Sequence, residues 1–158
     1  MAAAVAAPIS AHSLAREEQV DPQQRAIGGL RLERLFLVLC GVNGFLGVAL
    51  GAFGAHGLRN TLGQVPDGAR RLEVWETAAR YQVYHALALG LVAYLCSRSP
   101  GTLANLAGYL FQAGIVLFSG SLYALALSGV RVLGAVTPFG GLCFLAAWAA
   151  IVALASRG

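Results

Sequence analysis

The stretch SPGTLANLAGYLFQAGIVLFSGSLYALALSGV, Ser99–Val130, contains no Asp, Glu, Lys or Arg. A helix crossing a hydrocarbon core ~30 Å thick needs ~20 consecutive apolar residues, and this run exceeds that. Working outward, Leu35–Leu58, Tyr81–Ser97 and Val132–Ser156 are equally free of charge. The charged residues stand between these runs, in Arg59–Arg80, at Arg98 and at Arg131, with Arg157 near the end. Three runs suffice as they stand. The second reaches spanning length if its helix begins near Glu76. The expected fold is an all-α membrane protein, a four-transmembrane-helix bundle. Its helices lie at about 35–55, 76–97, 103–127 and 138–156, with short loops and one longer loop between helices 1 and 2.

Composition agrees. The 158 residues are 58% hydrophobic and 11% charged, and mean hydropathy is +0.68. Soluble domains carry roughly 25% charged residues. A surface this poor in charge faces lipid, so the bilayer is the first partner. Every basic residue is arginine, and the formal net charge is +4. The arginines are not interleaved with aromatics as a nucleic-acid site requires; they suit helix ends near headgroups. Cys40, Cys96 and Cys143 lie far apart in apolar runs, without the paired spacing of a disulfide framework or zinc site. They read as small buried hydrophobes.

Residues 1–33 differ from the rest and read as a flexible N-terminal extension to a domain over 34–158. They lack an apolar core of signal-peptide length. Ser99-Pro100-Gly101 is turn chemistry, and Gly129 can cap helix 3. Thr137 is expected to cap a fourth helix whose first residue is Pro138. Trp75 suits the membrane interface. Arg16, Arg25, Arg31, Arg34, Arg98 and Arg157 fall on one side, and Arg59, Arg70, Arg71, Arg80 and Arg131 on the other. The near balance tilts only slightly toward both termini in the cytoplasm.

Helices in lipid associate through close packing and polar contacts. Gly44, Gly47, Gly51 and Gly54 form one narrow stripe on helix 1, bordered by Asn43. The stripe suits tight internal packing or a homo-oligomer interface. On helix 2 a small-residue face, Ala78, Ala79, Gln82, His85, Ala86, Leu89, Ala93 and Cys96, should turn inward. Val83, Tyr84, Leu87, Leu91, Tyr94 and Leu95 lie on the bulkier face. On helix 3, Asn105, Gly108, Gln112, Ser119, Tyr123 and Ala126 share a sector, and an unpaired polar group in hydrocarbon costs several kcal/mol. That sector faces the interior. Gly141 and Thr137 share a face of helix 4.

Four motifs carry a resemblance. They are Gly51-Ala-Phe-Gly-Ala-His-Gly57, then Trp75-Glu-Thr-Ala78 leading into Tyr81-Gln82 and His85-Ala-Leu-Ala-Leu89, then Phe118-Ser-Gly-Ser-Leu-Tyr123 and Thr137-Pro-Phe-Gly-Gly141. In this order they resemble the YgdD-like family, domain of unknown function 423, with the transmembrane protein 256 group as its animal relatives. The resemblance runs from about Arg34 onward. It implies a four-helix membrane protein in the bacterial inner membrane, and no reaction. The Ala-rich N-terminal extension also suits an organelle inner membrane.

By topology, His56, Tyr81, Gln82, His85, Ser119, Ser121, Tyr123 and Thr137 gather in the half of the membrane beneath the longer loop. Gly108 and Gly141 are further packing positions. Intramembrane ionisable groups are functional candidates, and His85 leads them. Three roles fit. One is a structural or accessory bundle, such as a subunit of a larger membrane complex. Another is a small permease, channel or proton-linked transporter using His85. The third is haem or metal binding through His56 and His85, a ligand set without acidic or cysteine partners. The sequence carries no catalytic signature and no assigned metal or cofactor, and the expectation is a protein that is not an enzyme.

Overall fold

The structure is a computed structural model that describes residues 22–157, and everything in those residues is helix, turn or short connection. Four long helices follow one another. The first, α1, runs Pro22–Phe53 and continues through a π turn, Gly54–Leu58, into Arg59–Leu62. Helix α2 spans Gly68–Arg98. Helix α3 spans Thr102–Gly114, passes through a second π turn at Ile115–Ser119 and ends as Gly120–Ser128. A 3-10 turn, Arg131–Ala135, leads into α4, Thr137–Ala155.

Two boundaries differ from expectation. Helix α1 is described from Pro22, so residues 22–33, expected as part of the extension, are helical. The part of the extension at 1–21 lies outside the described residues. Thr137 is itself helical, and no side-chain hydrogen bond caps α4. Its hydroxyl is used elsewhere, against Ser121 at 2.9 Å.

Three helical stretches are long and apolar enough to cross a membrane: Leu30–Leu62, Thr102–Ser128 and Arg131–Ala155. Helix α2 is not one of them, so the expected four spans are met by composition in three. The reason lies in its sequence: Gln82, His85 and three tyrosines dilute the apolar run Tyr81–Ser97, and Arg80 and Arg98 bound it closely.

The short connections are defined by local chemistry. Between α1 and α2, Val65 N–H donates to Leu62 O at 3.1 Å and Gly68 N–H donates to Val65 O at 3.0 Å. The Leu62 carbonyl occupies the place a β-carbon on Gly68 would take, so only glycine fits. Helix α3 ends as its glycine predicts: Gly129 has φ 72°, and its N–H donates to Leu125 O at 2.8 Å. Such a left-handed terminus is cheap only without a β-carbon. Arg71 of α2 completes the cap. Its Nε donates to Ala126 O at 2.7 Å and a terminal nitrogen donates to Leu127 O.

Helix α2 returns along α1. A β-carbon on Gly47 would lie 2.7 Å from Val83 Cγ2, one on Gly51 3.8 Å from Ala79 Cβ, and one on Gly90 3.1 Å from Cys40 Sγ. Gly54 sits directly under the Trp75 ring. Pairs that climb on one helix while descending on the other define an antiparallel hairpin. The expected small face of α2 is the buried one, from Ala78 to Cys96, while Tyr84, Leu87, Leu91 and Tyr94 are exposed; Val83 and Leu95 of the bulkier face are half-buried, because Val83 packs on Gly47 of α1 and Leu95 on the main core. The main core joins all four helices around Phe36, Leu89, Val92, Phe111 and Phe144. A smaller cluster at the loop end holds Leu58, Leu62, Trp75 and Ala126.

Candidate functional site

The polar interior begins at Asn43 on α1. Its side-chain amide donates to Leu39 O at 2.8 Å and to Gln112 Oε1 of α3 at 2.9 Å. Its backbone carbonyl accepts from Gln82 Nε2 of α2 at 3.1 Å. Gln82 Oε1 in turn accepts from the Tyr123 hydroxyl of α3 at 3.0 Å. The chain Gln112–Asn43–Gln82–Tyr123 thus ties three helices together, and Gln82 is only 4% exposed. The ring of Tyr123 meets Trp75 edge-on at 4.5 Å. Trp75 is 2% exposed, and its indole N–H donates to Leu50 O at 2.8 Å. Its ring is turned into the bundle, away from lipid. Gly54 leaves room for the ring, and α1 supplies an acceptor.

His85 belongs to a second group. Its Nδ1 lies 2.8 Å from Tyr81 O, one turn back on the same helix. Its ring stacks on Phe144 of α4 at 3.4 Å and 3° between planes. Phe111 and Trp148 flank it, at 5.7 and 6.5 Å between centroids. Tyr81 stacks on Phe118 at 4.6 Å. His85 is thus an aromatic packing element between α2, α3 and α4.

Ser121 and Thr137 bond α3 to α4, and Ser121 Oγ also donates to Phe118 O at 3.0 Å; Cys96 Sγ of α2 donates to Asn105 Oδ1 of α3 at 3.5 Å. Ser119, on the second π turn, is 1% exposed, and its hydroxyl has no partner among the described residues. His56 is exposed on the first π turn and does not join the others. A regular helix already turns that position away from the glycine stripe.

The glycines divide. Gly47, Gly51 and Gly54 pack on α2, whereas Gly44 has nothing within 4 Å of a β-carbon and faces outward. Gly108 is covered by the Phe36 ring. On α4 the close approach falls on Gly140, whose missing β-carbon would meet the Phe118 backbone, while Gly141 is only in ordinary contact with the Phe118 ring. Sequence reasoning noted Asn43 and Gln112 as stripe members without naming them as a site. An amide on each of two apolar helices was the available signal. The aromatic box of Phe111, Phe118 and Phe144 gave none, because Phe in an apolar run is indistinguishable from core.

A family model described as "Protein of unknown function (DUF423)" matches residues 50–141. The chain belongs to the DUF423 family. The match spans the π turn at Gly54, all of α2 and α3, and the Thr137–Gly141 start of α4. Among DUF423 relatives, the UPF0382 membrane protein YwdK of Bacillus subtilis is 47% identical over 125 residues, covering 78% of this chain and 98% of YwdK. A UPF0382 membrane protein of Staphylococcus saprophyticus is 44% identical over 119 residues, covering 75% and 94%. One from Staphylococcus epidermidis is 45% identical over the same length, covering 75% and 93%. No solved structure matches. With three apolar helices and these relatives, the DUF423 chain is a multi-pass bacterial membrane protein.

Proposed function

We propose that this DUF423 protein is a structural or accessory four-helix bundle of the bacterial plasma membrane, with all four helices spanning and no catalytic role. The observation that carries this reading is the state of His85. One ring face lies on Phe144 at 3.4 Å and Nδ1 is engaged by the α2 backbone, so the ring is held as a packing element between helices. Asn43, Gln82, Gln112, Tyr123, Ser121 and Thr137 are spent in bonds from one helix to the next. Such bonds fix which helices meet and in what register.

The fourth span follows from the hairpin. Helix α2 lies antiparallel along α1, and α1 is long and apolar enough to cross. The residues that lower the hydropathy of α2, Gln82 and His85, are buried and bonded, so lipid does not meet them. Four spans place both termini on one side. Reporter tags at either end should give the same accessibility in intact cells. Opposite accessibility would leave three spans and end this reading.

The role of His85 has its own test. His85→Ala should lower the thermal midpoint in mild detergent by roughly 5 °C, since losing a packed ring costs about 2 kcal/mol. Proton flux in proteoliposomes should not change. A pH-dependent flux abolished by the same substitution would replace the scaffold with a proton-linked permease. As an accessory subunit, the protein should retain a stoichiometric membrane partner in mild detergent. The Gly44 position of α1, open where its β-carbon would lie, is where a second copy or such a partner approaches closely.

A further inference from the structure

We infer a binding site for the phosphate of an anionic phospholipid headgroup, between the start of α2 and the turn that joins α3 to α4. A cavity of about 180 Å³ opens there, lined by Asp67, Arg70, Arg71 and Arg131 over the apolar walls Val74 and Leu125. This inference rests only on the chain being a membrane protein, not on four spans or a scaffold role.

The charges decide the ligand class. Three guanidinium groups face one carboxylate. Arg71 is held in place by the carbonyls of Ala126 and Leu127, and its Nη1 lies 3.9 Å from Asp67 Oδ1. The one carboxylate is therefore turned to a fixed arginine. Arg70 and Arg131 are exposed and carry no salt bridge among the described residues. Two guanidinium groups that line one cavity and make no salt bridge among the described residues match a phosphate, because each offers paired N–H donors to its oxygens. A headgroup carrying its own ammonium would bring a positive charge into a cavity that already has an excess.

The walls decide between lipid and solute. Val74 and Leu125 line the same cavity, and the adjoining turn exposes Val130 at 50% and Val132 at 76%. Apolar side chains directly beside the arginines place the cavity at the boundary between headgroups and acyl chains. A phosphodiester with hydrocarbon attached uses both surfaces, whereas a free anion uses only one.

The test is lipid retention by the full chain in mild detergent, read by native mass spectrometry after incubation with phosphatidylglycerol or phosphatidylcholine. The wild type should retain phosphatidylglycerol over phosphatidylcholine. Each arginine near a membrane surface adds about fivefold to anionic-lipid affinity, so Arg70→Gln with Arg131→Gln should weaken phosphatidylglycerol retention about thirty-fold. Arg80→Gln, an exposed arginine outside the cavity, should leave it unchanged. Both sets change exposed side chains, and folding is checked by the thermal midpoint. Equal retention of the two lipids, or full retention by the double variant, overturns the proposal. So does displacement by millimolar inorganic phosphate, which would assign the site to a soluble anion.

Discussion

Gly140→Leu is expected to abolish accumulation of the folded bundle, and Gly140→Ala to destabilise it by about 1–3 kcal/mol, the usual cost of overpacking. A β-carbon at this position would lie 2.7 Å from Phe118 Cβ and 2.8 Å from Phe118 Cα, and closer still to the Phe118 nitrogen. These are backbone or backbone-attached atoms, which no rotamer change can move aside. Helix α4 would have to withdraw from α3. The Ser121–Thr137 bond and the stack of His85 on Phe144 depend on the same approach. Gly44→Ala is the matched control. Nothing lies within 4 Å of its β-carbon, so only helix propensity remains, a gain of up to ~1 kcal/mol. Fluorescence-detected size exclusion and thermal midpoints in mild detergent measure both. A Gly140→Ala protein as stable as wild type would mean that α3 and α4 do not meet this way.

Gln82→Leu is expected to destabilise the bundle by about 2 kcal/mol, because a buried group left without a partner costs ~1–3 kcal/mol. The substitution keeps the apolar volume but strands the Tyr123 hydroxyl and removes the donor to Asn43 O. The sharper measurement is the double-mutant cycle with Tyr123→Phe. In the Gln82→Leu background, removing the hydroxyl should cost almost nothing. The coupling should fall near 0.6–1.7 kcal/mol, the range of interhelical bonds in membranes. Additive effects in mixed-micelle unfolding would show that the two side chains do not interact.

The sequence made the faces legible and left the depths of contact hidden. The inward face of α2 could be read residue by residue, since small residues and the two polar groups recur at helical spacing and lipid penalises the latter. The glycine stripe of α1 was read as a unit, yet the hairpin uses Gly47, Gly51 and Gly54 and leaves Gly44 outside. Periodicity gives an azimuth; it does not say where a neighbouring helix crosses. On α4 the neighbours Gly140 and Gly141 differ by ~100° around the axis, and only the position of Phe118 chooses between them. His56 joined the expected cluster because topology put it at the right height. Height without azimuth is not proximity, and it is exposed. Helix α2 shows the opposite case: its hydropathy counts Gln82 and His85 as though they met lipid, whereas both are buried and bonded inside the bundle.

The π turn at Ile115–Ser119 bears on how α3 is indexed. The Gly120 N–H bonds to Ile115 O, five residues back. A turn of this kind holds one residue more than the α-helix around it, which offsets everything beyond it by about a quarter turn. Helix α3 is therefore two reading frames in a single rod. In the first frame Gln112 addresses Asn43 on α1; in the second, Tyr123 addresses Gln82 on α2 and Ser121 addresses Thr137 on α4. A straight helix offers one stripe to its surroundings. By absorbing one residue of slippage, this rod serves three neighbours, each in the frame that suits it.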